Sequence, residues 1–153
     1  MTINERLNEL GISLAETPKP LGSYLPYVRS GNLIFMSGVL PLRNGKLIRT
    51  GRVGEAVSLE EAREDARQVV VNALSVLNVA AGDLGKISKC VKLNGYVASA
   101  ADFTDQPKVL NGASDLLFEI FGEAGRHARA AVGVYSLPLN SPVEIDFIFE
   151  IAL

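Results

Sequence analysis

Residues 58–82 read SLEEAREDARQVVVNALSVLNVAAG, and this stretch decides the fold class. Ser58 followed three residues later by Glu61 has the form of a capping box, in which each side chain satisfies the other's backbone N–H. Glu60, Glu61, Glu64 and Asp65 place negative charge at the positive end of a helix dipole. Leu59, Ala62, Ala66, Val69, Val70, Ala73, Leu74 and Leu77 then recur at the 3.6-residue period until Gly82. The stretch is a long amphipathic helix with one apolar face to bury.

The segments on either side supply the sheet it needs. Upstream, Tyr24 to Arg29 and Asn32 to Ser37 flank Ser30-Gly31, a two-residue turn signal that predicts a β-hairpin. Leu40 to Arg43 and Lys46 to Arg49 face each other across Asn44-Gly45 in the same way. Downstream, Lys89 to Ser99, Ala128 to Ser136 and Val143 to Ala152 read as strands. Thr2 with Glu5 opens a short N-terminal helix that places Ile3, Leu7 and Leu10 on one face and stops at Gly11. A third helix begins around Pro107, buries Val109, Ala113, Leu116, Leu117 and Ile120, and stops at Gly122. This order is α+β, with the two main helices packed on one face of a mixed sheet.

The last strand also describes the sheet's other face. Val143, Ile145, Phe147, Phe149 and Ile151 share one side, an apolar stripe fit to lie under the helices, while Glu144, Asp146, Ile148 and Glu150 share the opposite side. In the preceding strand, Ala130, Val132 and Val134 alternate with Arg129, Ala131, Gly133 and Tyr135, and the second set is assigned to the face away from the helices. A face that mixes small residues, a few charges and a tyrosine is a candidate for contact between subunits.

Composition narrows the function classes. The chain has 153 residues, 48% of them hydrophobic, which is one domain's worth of core and rules out general disorder. Fifteen Lys+Arg against seventeen Asp+Glu leave a net charge of −2, without the basic excess on which phosphate-neutralising nucleic-acid binding rests. No apolar run reaches the roughly 18–20 residues that span a bilayer. The N-terminus has early acidic residues and no apolar core of a signal peptide. A single cysteine, Cys90, excludes an internal disulfide and fits a reducing compartment, and one histidine with one cysteine makes a His/Cys zinc site improbable. The expected location is the cytoplasm.

The familiar catalytic devices are missing: no phosphate loop, no G-x-G-x-x-G, no H-E-x-x-H and no G-x-S-x-G. A Ser-His-Asp triad would have to use His127, and no serine sits in an elbow-like context. Chemistry therefore falls to Gly125–Val132 and Leu137–Glu144. Arg129, among Ala and Gly at a strand start, offers a planar fork suited to a carboxylate. From spacing alone, a structural ion pair with Glu144 or Asp146 is the simpler reading. Glu144 is a candidate general base against a plain solvated carboxylate. Tyr24 is a ligand donor or packing, His127 a loop or interface residue, and Cys90 a small buried apolar residue.

Four segments, in order, resemble the reactive-intermediate deaminase (RidA/YjgF/YER057c/UK114) superfamily, also known as endoribonuclease L-PSP. They are Pro20-Leu21-Gly22-Ser23-Tyr24, Asn32 to Gly38, Asp102-Phe103 with Leu110-Asn111, and Ala128 to Val132 with Leu137-Pro138 and Val143-Glu144-Ile145. The resemblance runs from about Pro20 to Leu153. It implies a chorismate-mutase-like fold, a homotrimer with ligand clefts between subunits, and cofactor-free hydrolysis of enamines and imines such as 2-aminoacrylate to 2-keto acids and ammonia. Carried over by position, Arg129 matches the clamp for the substrate carboxylate and Glu144 the acid that positions or activates water. Tyr24, Ser37 and Asn111 match residues near the ligand, with the spacing from Asn111 to Arg129 shifted by one. This chain departs from the pattern in an extra helix over residues 1–15, a longer segment around Leu47 to Ala56, His127 in place of a proline, and Tyr135. The alternatives are an endoribonuclease and a non-catalytic trimer that binds a metabolite. Nucleic acid is the disfavoured partner because the charge balance is acidic, and a small carboxylate is the favoured one.

Overall fold

The computed structural model describes residues 1–17 and 22–152, so Pro20 and Leu21 of the first motif lie outside the described residues. The chain runs α1 (Ile3–Glu9), β1 (Tyr27–Ser30), β2 (Leu33–Met36), β3 (Leu42–Arg43), β4 (Lys46–Leu47), α2 (Leu59–Ala81), β5 (Ile87–Ala98), α3 (Gln106–Phe121), β6 (Ala128–Val134) and β7 (Val143–Ile151). Both capping boxes form. In the second, the Ser58 N–H donates to Glu61 Oε1 at 3.0 Å and the Glu61 N–H to Ser58 Oγ at 3.1 Å. Helix α2 ends where Gly82 turns left-handed at φ 81°, and Pro107 sits in the first turn of α3.

Five strands form one sheet in the order β1-β2-β7-β5-β6, and β3-β4 is a separate ribbon. Every neighbour in the large sheet is antiparallel except β5 and β6, the pair joined by the α3 crossover. The first hairpin turns one residue later than the sequence suggests. Ser30 pairs with Leu33, so Gly31-Asn32 is the turn, with Gly31 at φ 62° in its first central place. The Asn44-Gly45 turn falls where predicted, with both residues at positive φ.

Alternation along β7 holds along its whole length: Val143, Ile145, Phe147, Phe149 and Ile151 are buried and the residues between them are not. They pack beneath α2 and α3, whose buried stripes contain the predicted residues except half-buried Leu59, with Asp65, Ser75, Val76 and Ala81 added on α2 and Leu110 on α3. Two glycines set the spacing of these layers. A Cβ on Gly112 of α3 would lie 2.1 Å from the Arg63 carbonyl oxygen of α2, and one on Gly95 of β5 would lie 2.0 Å from Leu110. The long segment after β4 is tied down at both ends of its path. Val53 exchanges backbone bonds with Ala98 and Ala100 at 2.7 and 2.9 Å, and Arg49 reaches across to α2.

One strand-face assignment is corrected. In register, Leu93 of β5 stands beside both Arg129 of β6 and Phe147 of β7, whereas Tyr96 stands beside Val132 and Glu144. Arg129, Ala131 and Gly133 therefore share the helix-facing side, and Ala130, Val132 and Val134 share the other. The outer face still carries exposed apolar groups, Val28, Phe35 and Val132, together with Glu144 and Asp146.

Arg49 holds a small acidic cluster on α2. Its Nη1 donates to Asp65 Oδ1 at 3.2 Å and its Nη2 to Glu64 at 3.3 Å. Asp65 is 1% exposed, and its Oδ2 has no hydrogen-bond partner among the described residues. Burial pushes the Asp65 carboxyl up to about 6, against the pull of Arg49. The folded protein thus holds this proton more tightly than the unfolded chain, and the group's contribution to stability declines as pH rises from about 4 through 6. Lowering the pH from 7 to 5 should raise the stability of the wild type by about 1 kcal/mol more than that of Asp65→Asn. Urea denaturation of both proteins at the two pH values checks this, and equal differences would refute it.

Candidate active site

The matched residues gather as two groups on opposite faces of the sheet. The first group surrounds Arg129. β6 is an edge strand flanked by α3, and its small residues let the arginine side chain lie against that helix. Arg129 Nη1 donates to Asn111 Oδ1 at 2.9 Å and to Ser114 Oγ at 3.1 Å. Asn111 and Ser114 are one helical turn apart, which brings both to the same side of α3. Arg129 makes no ion pair among the described residues. The structural pairing with Glu144 or Asp146 is therefore not formed, because both carboxylates lie beyond the sheet. Nη1 is occupied by two neutral acceptors, and Nε and Nη2 make no hydrogen bond to the described residues. Arg129 lines a groove of about 630 Å³ with Ser114, Phe118, Arg126 and His127.

Ser114 is a site neighbour that the sequence alone does not single out. Its only signal was its place three residues beyond Asn111, which has meaning once the helix is known. His127 also belongs to this group, since its Nε2 lies 2.9 Å from Ser114 Oγ and its Nδ1 lies 2.7 Å from the Gly125 carbonyl oxygen.

The second group surrounds Glu144. Its carboxylate lies across Gly38, where a Cβ would come within 2.2 Å of Oε1, so the glycine makes room for it. Burial raises the Glu144 pKa and the nearby Asp146 charge adds to this. Asp146 is held by the Asn94 side-chain amide at 2.9 Å and the Tyr96 hydroxyl at 3.0 Å. Ser37 adjoins Gly38 and donates its hydroxyl proton to the Leu25 carbonyl. That bond ties the loop carrying Tyr24 to the end of β2. Tyr24 itself is 54% exposed. Arg129 and Asn111 thus come together, Glu144 and Ser37 flank Gly38, and the two groups do not meet within one chain.

Other candidates carry no such arrangement. Cys90 is buried, and burial pushes its thiol up to about 12, so it is inert packing. No three His, Cys, Asp or Glu side chains among the described residues form a metal-binding group. No described helix is long and apolar enough to cross a membrane.

Comparison with known proteins bears on this arrangement. Residues 4–151 match the family model described as "YjgF/chorismate_mutase-like, putative endoribonuclease". Protein TCP17 of Trypanosoma cruzi is 41% identical over 146 residues, covering 95% of this chain and 91% of that protein. The 2-iminobutanoate/2-iminopropanoate deaminase of Dermatophagoides farinae is 31% identical over 140 residues, covering 92% of this chain and 94% of that one. Among solved structures, protein Atu1372 of Agrobacterium tumefaciens superposes with a TM-score of 0.92 at 48% identity, covering 98% of this chain and 92% of that chain. The match takes in the N-terminal helix as well as the sheet, and the chain belongs to the YjgF/chorismate-mutase-like family.

Proposed function

We propose that this protein is a cofactor-free deaminase that hydrolyses small 2-imino and 2-enamino carboxylates to 2-keto acids and ammonia. The observation that carries the reading is the state of Arg129. An arginine on a groove, fixed through one nitrogen by neutral acceptors and without a carboxylate partner among the described residues, keeps both its charge and a bidentate edge for a ligand carboxylate. Glu144 is the group for water. Its raised pKa makes its ionised form a better proton acceptor than an ordinary surface carboxylate.

The two groups face opposite sides of one sheet, so a substrate that meets both must lie where two copies join. We assign the outer face, with exposed Val28, Phe35 and Val132, to self-association in a homotrimer. In this scheme Tyr24, Ser37 and Asn111 complete the clefts, Ser37 next to the Gly38 that faces Glu144, Tyr24 on the loop that Ser37 ties down, and Asn111 beside Arg129. The whole of residues 1–153 acts as a single domain in this scheme. We place the protein in the cytoplasm, as its single cysteine suggests.

The reaction balances with water alone. Arg129 holds the carboxylate, and Glu144 takes a proton as the water oxygen bonds to the imine carbon. That proton passes to the nitrogen to give the carbinolamine, and as the C–N bond breaks the carbinol proton follows to the leaving nitrogen, giving the 2-keto acid and ammonia; an enamine enters the same path once its N–H proton has moved to C3. Imine hydrolysis is fast in water, so positioning of substrate and water supplies the useful acceleration. RNA cleavage fits less well, because a net charge of −2 gives a polyanion little to bind.

Two experiments test the assignment. An amino-acid oxidase supplied with alanine generates 2-iminopropanoate, whose decay is followed with and without the protein. Wild type should accelerate it, and Arg129→Ala should lose at least roughly tenfold of that acceleration. No acceleration of any such imine would leave the metabolite-binding trimer as the better account. The second test uses pH. Activity needs ionised Glu144 and should fall as pH drops through its raised pKa. Asp146→Asn removes the like charge and should move this acidic limb to lower pH, which a pH–rate profile of the two proteins reads directly.

A further inference from the structure

The first group contains a hydrogen-bond chain whose direction is fixed by chemistry. A carbonyl oxygen only accepts, so the 2.7 Å contact with Gly125 places the proton of neutral His127 on Nδ1. Its Nε2 is then an acceptor, and the Ser114 hydroxyl donates to it across 2.9 Å. Arginine only donates, so Ser114 Oγ accepts from Arg129 Nη1 at 3.1 Å. The chain runs one way, from Arg129 through Ser114 and His127 to the Gly125 carbonyl. Ser114 has its proton and the lone pair it offers Arg129 both spoken for. Asn111 takes the second Nη1 proton.

We propose that His127, acting through Ser114, is a positioning residue for Arg129: it pins one guanidinium nitrogen so that the remaining N–H groups stay turned toward an anionic ligand, and when that ligand binds it takes up a proton, whereupon Nε2–H donates to Ser114 Oγ and the Ser114 hydroxyl is released to donate to the ligand's carboxylate. The identification of Arg129 as a carboxylate clamp underlies this proposal. Without a bound anion the neutral form of His127 is favoured, because a second positive charge beside Arg129 is unfavourable. A bound carboxylate offsets the arginine's charge and removes that penalty. By linkage, whatever eases protonation of His127 on binding also tightens binding when His127 is protonated.

The charged surroundings of His127 are few. Asp115 and Glu119 of α3 and Arg126 line the same groove. Arg126 is paired with Glu123 at 3.4 Å, and Glu119 lies 3.9 Å from Arg67. On β5, the residue in register with Ala128 is Lys92, also in register with Ile148, on the face turned away from the helices. Arg129 is thus the cation that shares a hydrogen-bond chain with the imidazole. Burial lowers the His127 pKa and Arg129 lowers it further, while the Gly125 carbonyl opposes both. Glu144 of a second copy also titrates near a bound carboxylate, and its contribution is common to wild type and His127 variants.

His127 is the sole histidine, so its NMR signals need no assignment. The probe is pyruvate, a 2-keto carboxylate of the product class. Nitrogen shifts of the free protein should show the Nδ1–H tautomer, and Arg129→Ala should raise the His127 pKa. Saturating pyruvate should raise it in the wild type as well. Pyruvate should bind wild type about fivefold tighter at pH 5.5 than at pH 7.5, and His127→Gln should bind with a smaller pH ratio while keeping wild-type affinity at pH 7.5 within a few-fold. Gln retains an acceptor for Ser114 without titrating. His127→Phe, which can neither accept from nor donate to Ser114, should weaken binding by roughly five- to tenfold. An Nε2–H tautomer, or a His127 pKa unmoved by Arg129→Ala, overturns the relay even where His127→Phe fails to fold. A wild-type pH ratio retained in His127→Gln overturns it too. If pyruvate fails to bind while the tautomer and the Arg129→Ala shift hold, the carboxylate clamp falls and the relay stands.

Discussion

Side chains alternate across a strand, and neighbours in register share a face. The arrangement of this protein depends on how β7 uses that rule. Its odd positions from Val143 to Ile151 carry an unbroken stripe of large apolar residues at the sheet's centre, so they must face α2 and α3. Glu144 and Asp146 are then committed to the other side. Through β5, the same register commits Arg129 to the side of Phe147. A slip of one residue would exchange the two sets, burying Glu144, Asp146 and Glu150 under the helices, which the cost of unpaired buried charge forbids. The separation of Arg129 from Glu144 is thus as firmly specified as the hydrophobic core.

The close layers keep the arginine where the register puts it. Gly112 lets α3 approach α2 until its backbone meets the Arg63 carbonyl, and Gly95 lets Leu110 rest on β5. α3 is consequently pressed near enough to β6 for Asn111 and Ser114 to reach the guanidinium. A helix held one side chain farther off would leave Arg129 to find water or a carboxylate. Helix packing and the placement of Arg129 are here one constraint, since the residue beside Asn111 is the glycine at the crossing.

How much of this was legible in the sequence depended on local contrast. Capping residues and a long 3.6-residue stripe define α2 almost to the residue, and strict apolar alternation defines both faces of β7. β6 has no such contrast. Arg129-Ala130-Ala131-Val132-Gly133-Val134 offers valine on one face and alanine with glycine on the other, so polarity points the wrong way. The arginine sits on the helix side because it is hydrogen-bonded there, and the valines lie outside. Pairing between residues distant in sequence, Leu93 with Arg129 and with Phe147, decided what composition could not. Ser114 and the direction of the His127 contacts needed the folded helix as well. The first hairpin turn moved by one residue because Ser30 can still pair, whereas Gly31 supplies the positive φ that the turn requires.

The choice of neutral partners for Arg129 has an electrostatic consequence that distinguishes it from Arg49. Arg49 faces Glu61, Glu64 and Asp65, so its charge is spent within the fold, and it serves as a tie between the β4–α2 segment and the helix. Arg129 is fixed with comparable rigidity by an amide oxygen and a hydroxyl, neither of which cancels its charge. Rigid placement and retained charge rarely coincide at a surface, because a carboxylate is the usual means of holding an arginine. Here the work of holding is handed down a chain of dipoles that ends on the Gly125 carbonyl. The guanidinium is left oriented, uncompensated and turned to a groove, which is the condition under which an incoming carboxylate gains most from binding it.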